Sequence, residues 1–250
     1  DLKINDISHG IPPQNIKYGS LLLMRAIQYI PQGVLLAVVD PGVGTERNPI
    51  AITTDWGLMI GPDNGLLNLA CATVGGAKQA FLLENKNWVI PHEGETFHAR
   101  DIFAPFAAAY ASGQLKLEEF GKELDLEDLK QYLIPLTDIS EKEIKGEVLY
   151  VDHFGNCQTN ISPGELNDKN FQIGDVLNLS IGNQEIEAKW CATYQNDNER
   201  DVGIVVDSWG MISLFVSNGS ASEVLNCKDT SKIKITVENL KLKVRQSNGS

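Results

Sequence analysis

Residues 35–39, Leu-Leu-Ala-Val-Val, form an apolar run that stops abruptly at Asp40-Pro41-Gly42, and this junction constrains the fold more than any other stretch. An unbroken apolar run of this length has the pattern of a strand buried on both faces rather than one facing water. Pro41 cannot donate to a ladder, and Gly42 and Gly44 permit backbone angles that other residues resist, so the chain turns there and can approach a ligand closely. An acid, Asp40, thus ends a strand and a base, Arg47, follows on the loop. In open α/β sheets that edge is where ligands bind. Standing alone, Asp-Pro-Gly with a nearby arginine describes an ordinary surface turn.

The flanking sequence supplies the rest of an α/β unit. Residues 1–8 have the pattern of a strand entering Asp6-Ile7-Ser8-His9-Gly10-Ile11-Pro12-Pro13, where the prolines force an extended connection. His9 by itself reads as a structural histidine. Ile16, Leu21, Leu22, Ala26 and Ile27 recur at helical spacing and predict a helix over 15–30, completing a βαβ unit with the 35–39 strand. Residues 49–54 and 58–60 form an expected hairpin around Asp55-Trp56-Gly57, followed by the turn Gly61-Pro62-Asp63-Asn64-Gly65. A strand over 79–83 leads to Thr96-Phe97-His98-Ala99-Arg100-Asp101, where Asp101 is placed to cap a helix through 106–111 that ends at Gly113. His98 then falls just before a helix N-terminus, whose dipole favours the neutral imidazole that a base needs. Residues 115–130 carry a charged helical pattern, and 132–145 have no clear period.

Beyond that gap the pattern changes to short β-rich runs at 146–151, 176–181, 186–190, 203–206, 212–216 and 233–237, separated by Gly, Asn and Asp. Such spacing predicts a small barrel or sandwich. The expected architecture is an α/β N-terminal domain over 1–137, a mixed sheet flanked by helices, and a smaller all-β, barrel-like C-terminal domain over 145–250.

Composition narrows the partners. The net charge of −12, from 33 acids against 21 bases, argues against a nucleic-acid backbone or an anionic membrane and suits a cationic small molecule. No apolar stretch is long enough to span a bilayer, and the N-terminus lacks the basic-then-apolar order of a signal peptide, so a cytoplasmic location is expected. Cys71, Cys157, Cys191 and Cys227 are scattered without a C-x-x-C, which indicates neither a zinc site nor a disulfide framework and leaves reduced thiols as the expectation.

Several of these strings occur together in one known family. Val38-Val39-Asp40-Pro41-Gly42-Val43-Gly44-Thr45-Glu46-Arg47 resembles the signature of the S-adenosyl-L-methionine (SAM) hydrolases, or SAM hydroxide adenosyltransferases (formerly DUF62), which are related to the fluorinating and chlorinating SAM enzymes. The 6–13 string, Gly61-Pro62-Asp63-Asn64-Gly65-Leu66-Leu67, and Asp152-His153-Phe154-Gly155-Asn156-Cys157-Gln158-Thr159-Asn160-Ile161 are similar to further motifs of that family, as are Asp207-Ser208-Trp209-Gly210 and 217–221. The order of motifs is the family's, and they cover most of the chain.

The resemblance implies attack of water on the ribose C5′ of SAM, giving adenosine and methionine, with SAM as substrate and no cofactor or metal. It implies Asp40, Arg47 and His98 as the catalytic set. Asn156 and Ser208 match adenine contacts, Val216 a residue lining the base pocket, and Asp152 one engaging the methionine end; Phe154 and Trp209 are candidates for stacking or cation–π contact. Trp209 and Ser213 depart from the family's usual residues in those loops. The fluorinating relatives lack the Asp-Arg-His set and carry serine where Ala99 stands, so halide transfer is the alternative, with a non-catalytic SAM or adenosine sensor the reading from another class. A homotrimer with active sites formed between subunits is also implied. So is an opening strand, T-D-F-G-x-x-D, whose aspartate holds the ribose hydroxyls; the 250 residues contain no such string.

Overall fold

The computed structural model describes residues 2–91, 94 and 96–237. Two compact units divide the chain, one over residues 1–133 and one over 134–250.

Unit 1 is a five-stranded mixed sheet with helices on both faces. Helix α1 (Ile16–Ala26) is capped by Asn15, whose side chain accepts from the Tyr18 amide at 2.9 Å, and it ends in a 3₁₀ turn to Tyr29. Strand β1 (Gly33–Leu36) follows, then β2 (Pro49–Thr53), β3 (Gly57–Pro62), α2 (Asn68–Thr73) and β4 (Gln79–Leu82). A π-helical turn over Ala99–Phe103 leads into α3 (Ala104–Ala111), and β5 (Glu123–Leu124) closes the sheet. Sheet order is β1-β3-β2-β4-β5, with β1 parallel to β3 and the other pairs antiparallel. Alternation along β2 divides the core: Ile50 and Ile52 pack with α1 and α2, while Ala51 faces Phe103, Phe106 and Phe120 on the α3 side.

Unit 2 is a closed seven-stranded barrel. Its elements are β6 (Asp138–Ile139), β7 (Glu143–Val151), β8 (Cys157–Thr159), α4 (Pro163–Asn167), β9 (Val176–Ile181), β10 (Gln184–Trp190), β11 (Val202–Val206), β12 (Ile212–Val216), α5 (Ala221–Val224) and β13 (Lys232–Thr236). The order β13-β9-β10-β11-β12-β8-β7 returns to β13, with β6 attached outside the ring on β7; only β10–β11 is parallel. Closure removes the sheet edges and encloses a core that includes Ile144, Leu179, Trp190, Ile204 and Leu214.

Several expectations need correction. Residues 2–8 form no strand; most are exposed and no described segment pairs with them. The apolar run at 35–39 is a strand only to Leu36, and it is not buried on both faces. Among the described residues β1 is the edge strand, and Leu36 is 41% exposed. Asp101 caps no helix, because the π turn begins at Ala99; its carboxylate instead accepts from Arg100 Nε at 2.6 Å. The 115–130 segment is two 3₁₀ turns flanking β5, not a helix. Tertiary packing overrides its pattern: Phe120 is fully buried edge-on against Phe81, Phe106 and Tyr110, and Lys122 accepts from the Leu82 amide. The C-terminal unit is not purely β, since α4 and α5 are short helices capped by Ser162 and Ser220.

Candidate active site

At the end of β1 the Ala37 amide still donates to Ile60 O at 3.0 Å, after which the chain leaves the sheet. Asn64 Nδ2 holds the departing strand by donating to Val39 O at 2.9 Å, immediately before Asp40. The loop then folds back on itself. Val43 N donates to Asp40 O at 3.3 Å, and both the amide and hydroxyl of Thr45 donate to Gly42 O, at 3.1 and 2.7 Å. Gly44, at φ +76°, supplies the left-handed residue this return requires. The result is that Arg47 comes back alongside Asp40.

The two side chains form a fork-to-carboxylate ion pair. Arg47 Nε donates to both Asp40 oxygens at 2.9 Å, and Nη2 makes a short bond to Oδ2. Asp40 and Arg47 are only 5% and 9% exposed at their side chains. Nη2 also lies 2.8 Å from His98 Nδ1, where the π turn begins. An arginine only donates, so His98 Nδ1 is the acceptor and a neutral ring carries its proton on Nε2. The face of the guanidinium lies over Phe103, 5.1 Å from the ring centroid. One donor is left over: Arg47 Nη1 is buried and has no partner among the described residues. A buried cationic N–H without an acceptor is costly, and water or an anion is what satisfies it. The three residues singled out in the sequence around the 40–47 loop are thus brought together, with the π turn supplying the third.

The remaining candidates lie in unit 2. Asp152 organises a tight turn: Oδ1 accepts from the Phe154 and Asn156 amides, and Oδ2 from Asn156 Nδ2, each at 2.9 Å. Gly155 sits at φ +84° with Ser220 so close that a Cβ would lie 2.1 Å from its Oγ; Ser222 N donates to Gly155 O at 2.9 Å. The turn is therefore fastened to the start of α5. Phe154 is 66% exposed, its ring against that of His153. Ser208 and Trp209 are exposed on the 207–210 turn, and Val216 packs into the barrel core at the end of β12.

Sequence reasoning passed over three residues that hold these groups in place. Asn64 read as a turn residue, and Phe103 was given no role. Asp207 accepts from Trp209 N at 2.8 Å and from Ser213 Oγ at 3.2 Å, and makes a short bond with Gln158 Nε2, so it ties the 207–210 turn to β8 and β12. Partners 49 positions apart leave no local signal. Elsewhere in unit 1, Asp63 is buried beside a cavity of about 190 Å³ also bordered by Cys71 and Asn68; burial pushes its carboxyl up, against the opposing hydrogen bond from Lys130 N. Among the described residues no group of three or more His, Cys, Asp or Glu is placed to hold a metal ion, and no helix is long and apolar enough to cross a membrane.

Comparison with known proteins matches these features to one family. Residues 1–121 match the model of the SAM hydroxide adenosyltransferase N-terminal domain, and 146–234 that of its C-terminal domain. An (R)-S-adenosyl-L-methionine hydrolase from Salinispora tropica is 36% identical over 234 residues, 94% of this chain and 86% of the relative. A fluorinase from Actinopolyspora mzabensis is 24% identical over 264 residues, 94% of this chain and 88% of the relative. The crystal structure of an uncharacterized conserved protein from Thermotoga maritima superposes with a TM-score of 0.81 at 32% identity, covering 94% of this chain and 89% of that one. On these grounds the chain belongs to the SAM hydroxide adenosyltransferase family.

Proposed function

We propose that the protein hydrolyses S-adenosyl-L-methionine to adenosine and L-methionine, with Asp40, Arg47 and His98 holding the attacking water. The observation that carries this reading is the buried Nη1 of Arg47, a fixed cationic donor without a partner among the described residues. The reaction asks for little else. The sulfonium leaves as a neutral thioether, so no general acid is needed; the task is to hold water in line with the C5′–S bond and favour its hydroxide character. In this arrangement Nη1 donates to the water oxygen, Asp40 fixes the guanidinium, and His98 accepts from Nη2 and orients it. SAM and water give adenosine, methionine and one released proton. The chemistry needs no cofactor or metal.

Unit 2 supplies the proposed contacts to the substrate's ends. Asn156 Nδ2 is engaged by Asp152, leaving its Oδ1 for the adenine amino group, with Ser208 and Val216 as further base contacts. Phe154 and Trp209 present exposed rings suited to stacking on purine or sulfonium. Asp152 Oδ2 keeps one lone pair for the methionine ammonium. A cytoplasmic homotrimer completes the proposal, supported by the family resemblance.

Halide transfer to the same carbon is the second reading, favoured by the fluorinase relative. Incubation with SAM in the presence and absence of fluoride or chloride separates the two. Adenosine formed at a rate independent of halide is expected. A 5′-halogenated adenosine would replace the hydrolase reading, and binding without turnover would make the protein a sensor.

A further inference from the structure

Cys157 and Cys227 are 70 positions apart in the chain, yet their Sγ atoms lie 3.1 Å apart inside unit 2. Cys157 opens β8 and is fully buried; Cys227 follows α5, is 8% exposed, and donates its amide to Ser222 O at 3.0 Å. The other two cysteines meet no thiol: Cys71 Sγ contacts Met59 Sδ at 3.3 Å, and Cys191 Sγ the carbonyl of Lys189 at 3.4 Å. We propose that Cys157 and Cys227 form a modification site, a dithiol that a peroxide converts reversibly into an intramolecular disulfide.

The geometry carries the chemistry. Moving from 3.1 Å to a covalent S–S bond of about 2.05 Å asks for roughly 1 Å of approach, and Cys227 lies on the connection between α5 and β13 rather than in the ladder. The thiols are not equivalent. The hydrogen bond from Cys157 stabilises a thiolate on Cys227 and lowers its pKa against the effect of burial. The same contact, burial and the negative charges of Asp152 and Asp229 push Cys157 up. Cys227 is also the only one of the pair with any exposure, 8% against none for Cys157, and so is the sulfur a peroxide reaches and the attacking one. Its thiolate displaces one oxygen of the peroxide, the O–O bond breaks, and Cys227 becomes a sulfenic acid as the first water leaves. Cys157 sulfur then displaces the sulfenic oxygen, forming the S–S bond and releasing a second water. Two thiols lose two electrons and hydrogen peroxide is reduced to two waters; a dithiol reductant reverses the change. Cys71, whose pKa burial pushes up to about 12, and Cys191, also raised by burial, serve as internal controls in the same chain.

The test is peroxide treatment of the folded, pre-reduced protein, followed by alkylation of remaining thiols and peptide mass spectrometry. The expected product is a 157–227 cross-linked peptide pair two hydrogens lighter than the reduced pair. It should form at least about tenfold faster than Cys71 or Cys191 is lost, and dithiothreitol should remove it. In Cys157→Ala, with its fold checked by circular dichroism, Cys227 should react more slowly, having lost the hydrogen bond from Cys157, and stop at a sulfenic acid trapped by dimedone. In Cys227→Ala, Cys157 should stay reduced. Thiols at 157 and 227 that alkylate as fully after peroxide as before would overturn the proposal, as would their recovery as separate sulfinic acids or oxidation of Cys71 or Cys191 at the same rate. None of these readouts involves SAM, so the result stands or falls apart from the proposed activity.

Discussion

At the residue scale, the Asp40–Arg47–His98 constellation makes two roles separable. Arg47 Nη2 donates to His98 Nδ1, so the imidazole serves as an acceptor that orients the guanidinium. His98→Asn places a carbonyl oxygen near the Nδ1 position and should keep turnover within about tenfold of wild type, while His98→Ala should lose on the order of 10²-fold in kcat. Were His98 the base instead, Asn and Ala would be equally slow, because neither takes a proton. Asp40 and Arg47 form a buried pair, and removing one partner leaves a charge without its counterion. Asp40→Ala should lower the unfolding free energy by about 3–5 kcal/mol in urea titration. The Asp40→Ala/Arg47→Leu double variant should cost less than the two single changes summed. Additive costs would show that the pair is not coupled.

At the element scale, the 40–47 loop and the 152–156 turn each depend on contacts outside themselves. Gly155→Ala puts a methyl on Ser220 at a left-handed position and should destabilise unit 2 by about 1–3 kcal/mol, read as a lowered thermal midpoint. An unchanged midpoint would mean that the 152–156 turn is not fastened to α5 as described. Elements with a strong local pattern were legible in the sequence: the β2–β3 hairpin, the α1 helix, and the strands over 176–181 and 212–216 fall where their patterns place them. Strand β8 was missed because Cys157-Gln158-Thr159 is too short to show alternation and follows a Gly-Asn turn. It is a strand only through pairing with β7 and β12. The 115–130 segment failed in the opposite direction. Its charges repeat like a helix, and burial of Phe120 with pairing of β5 to β4 decided otherwise. Asp40 and Arg47 were visible as a strand-end pair, whereas Asn64, Phe103 and Asp207 act through contacts that no short motif encodes.

At the scale of the whole molecule, acidity and burial set how stability changes with pH. Burial raises the Asp63 pKa above its ordinary 3.8, so the folded protein holds that proton more tightly than the unfolded chain. The associated stabilisation is fully present below 3.8 and is lost as pH rises through the raised value. Asp63→Asn keeps an acceptor for Lys130 N without the charge. It should therefore raise the thermal midpoint at pH 7, with the advantage shrinking toward pH 3.5; an equal effect at both values would refute the assignment. Light scattering should give three times the chain mass of 27.4 kDa in solution, and a monomer would contradict the proposed trimer. The central claim is that water, held by Arg47, attacks C5′ of SAM. Its most direct test is turnover of SAM in ¹⁸O-water, with the product analysed by mass spectrometry for wild type and Arg47→Lys. The expected result is adenosine carrying ¹⁸O at its 5′ position, formed about 10²–10³-fold more slowly by the lysine variant. Adenosine without the label, or an Arg47→Lys enzyme as fast as wild type, would contradict the account.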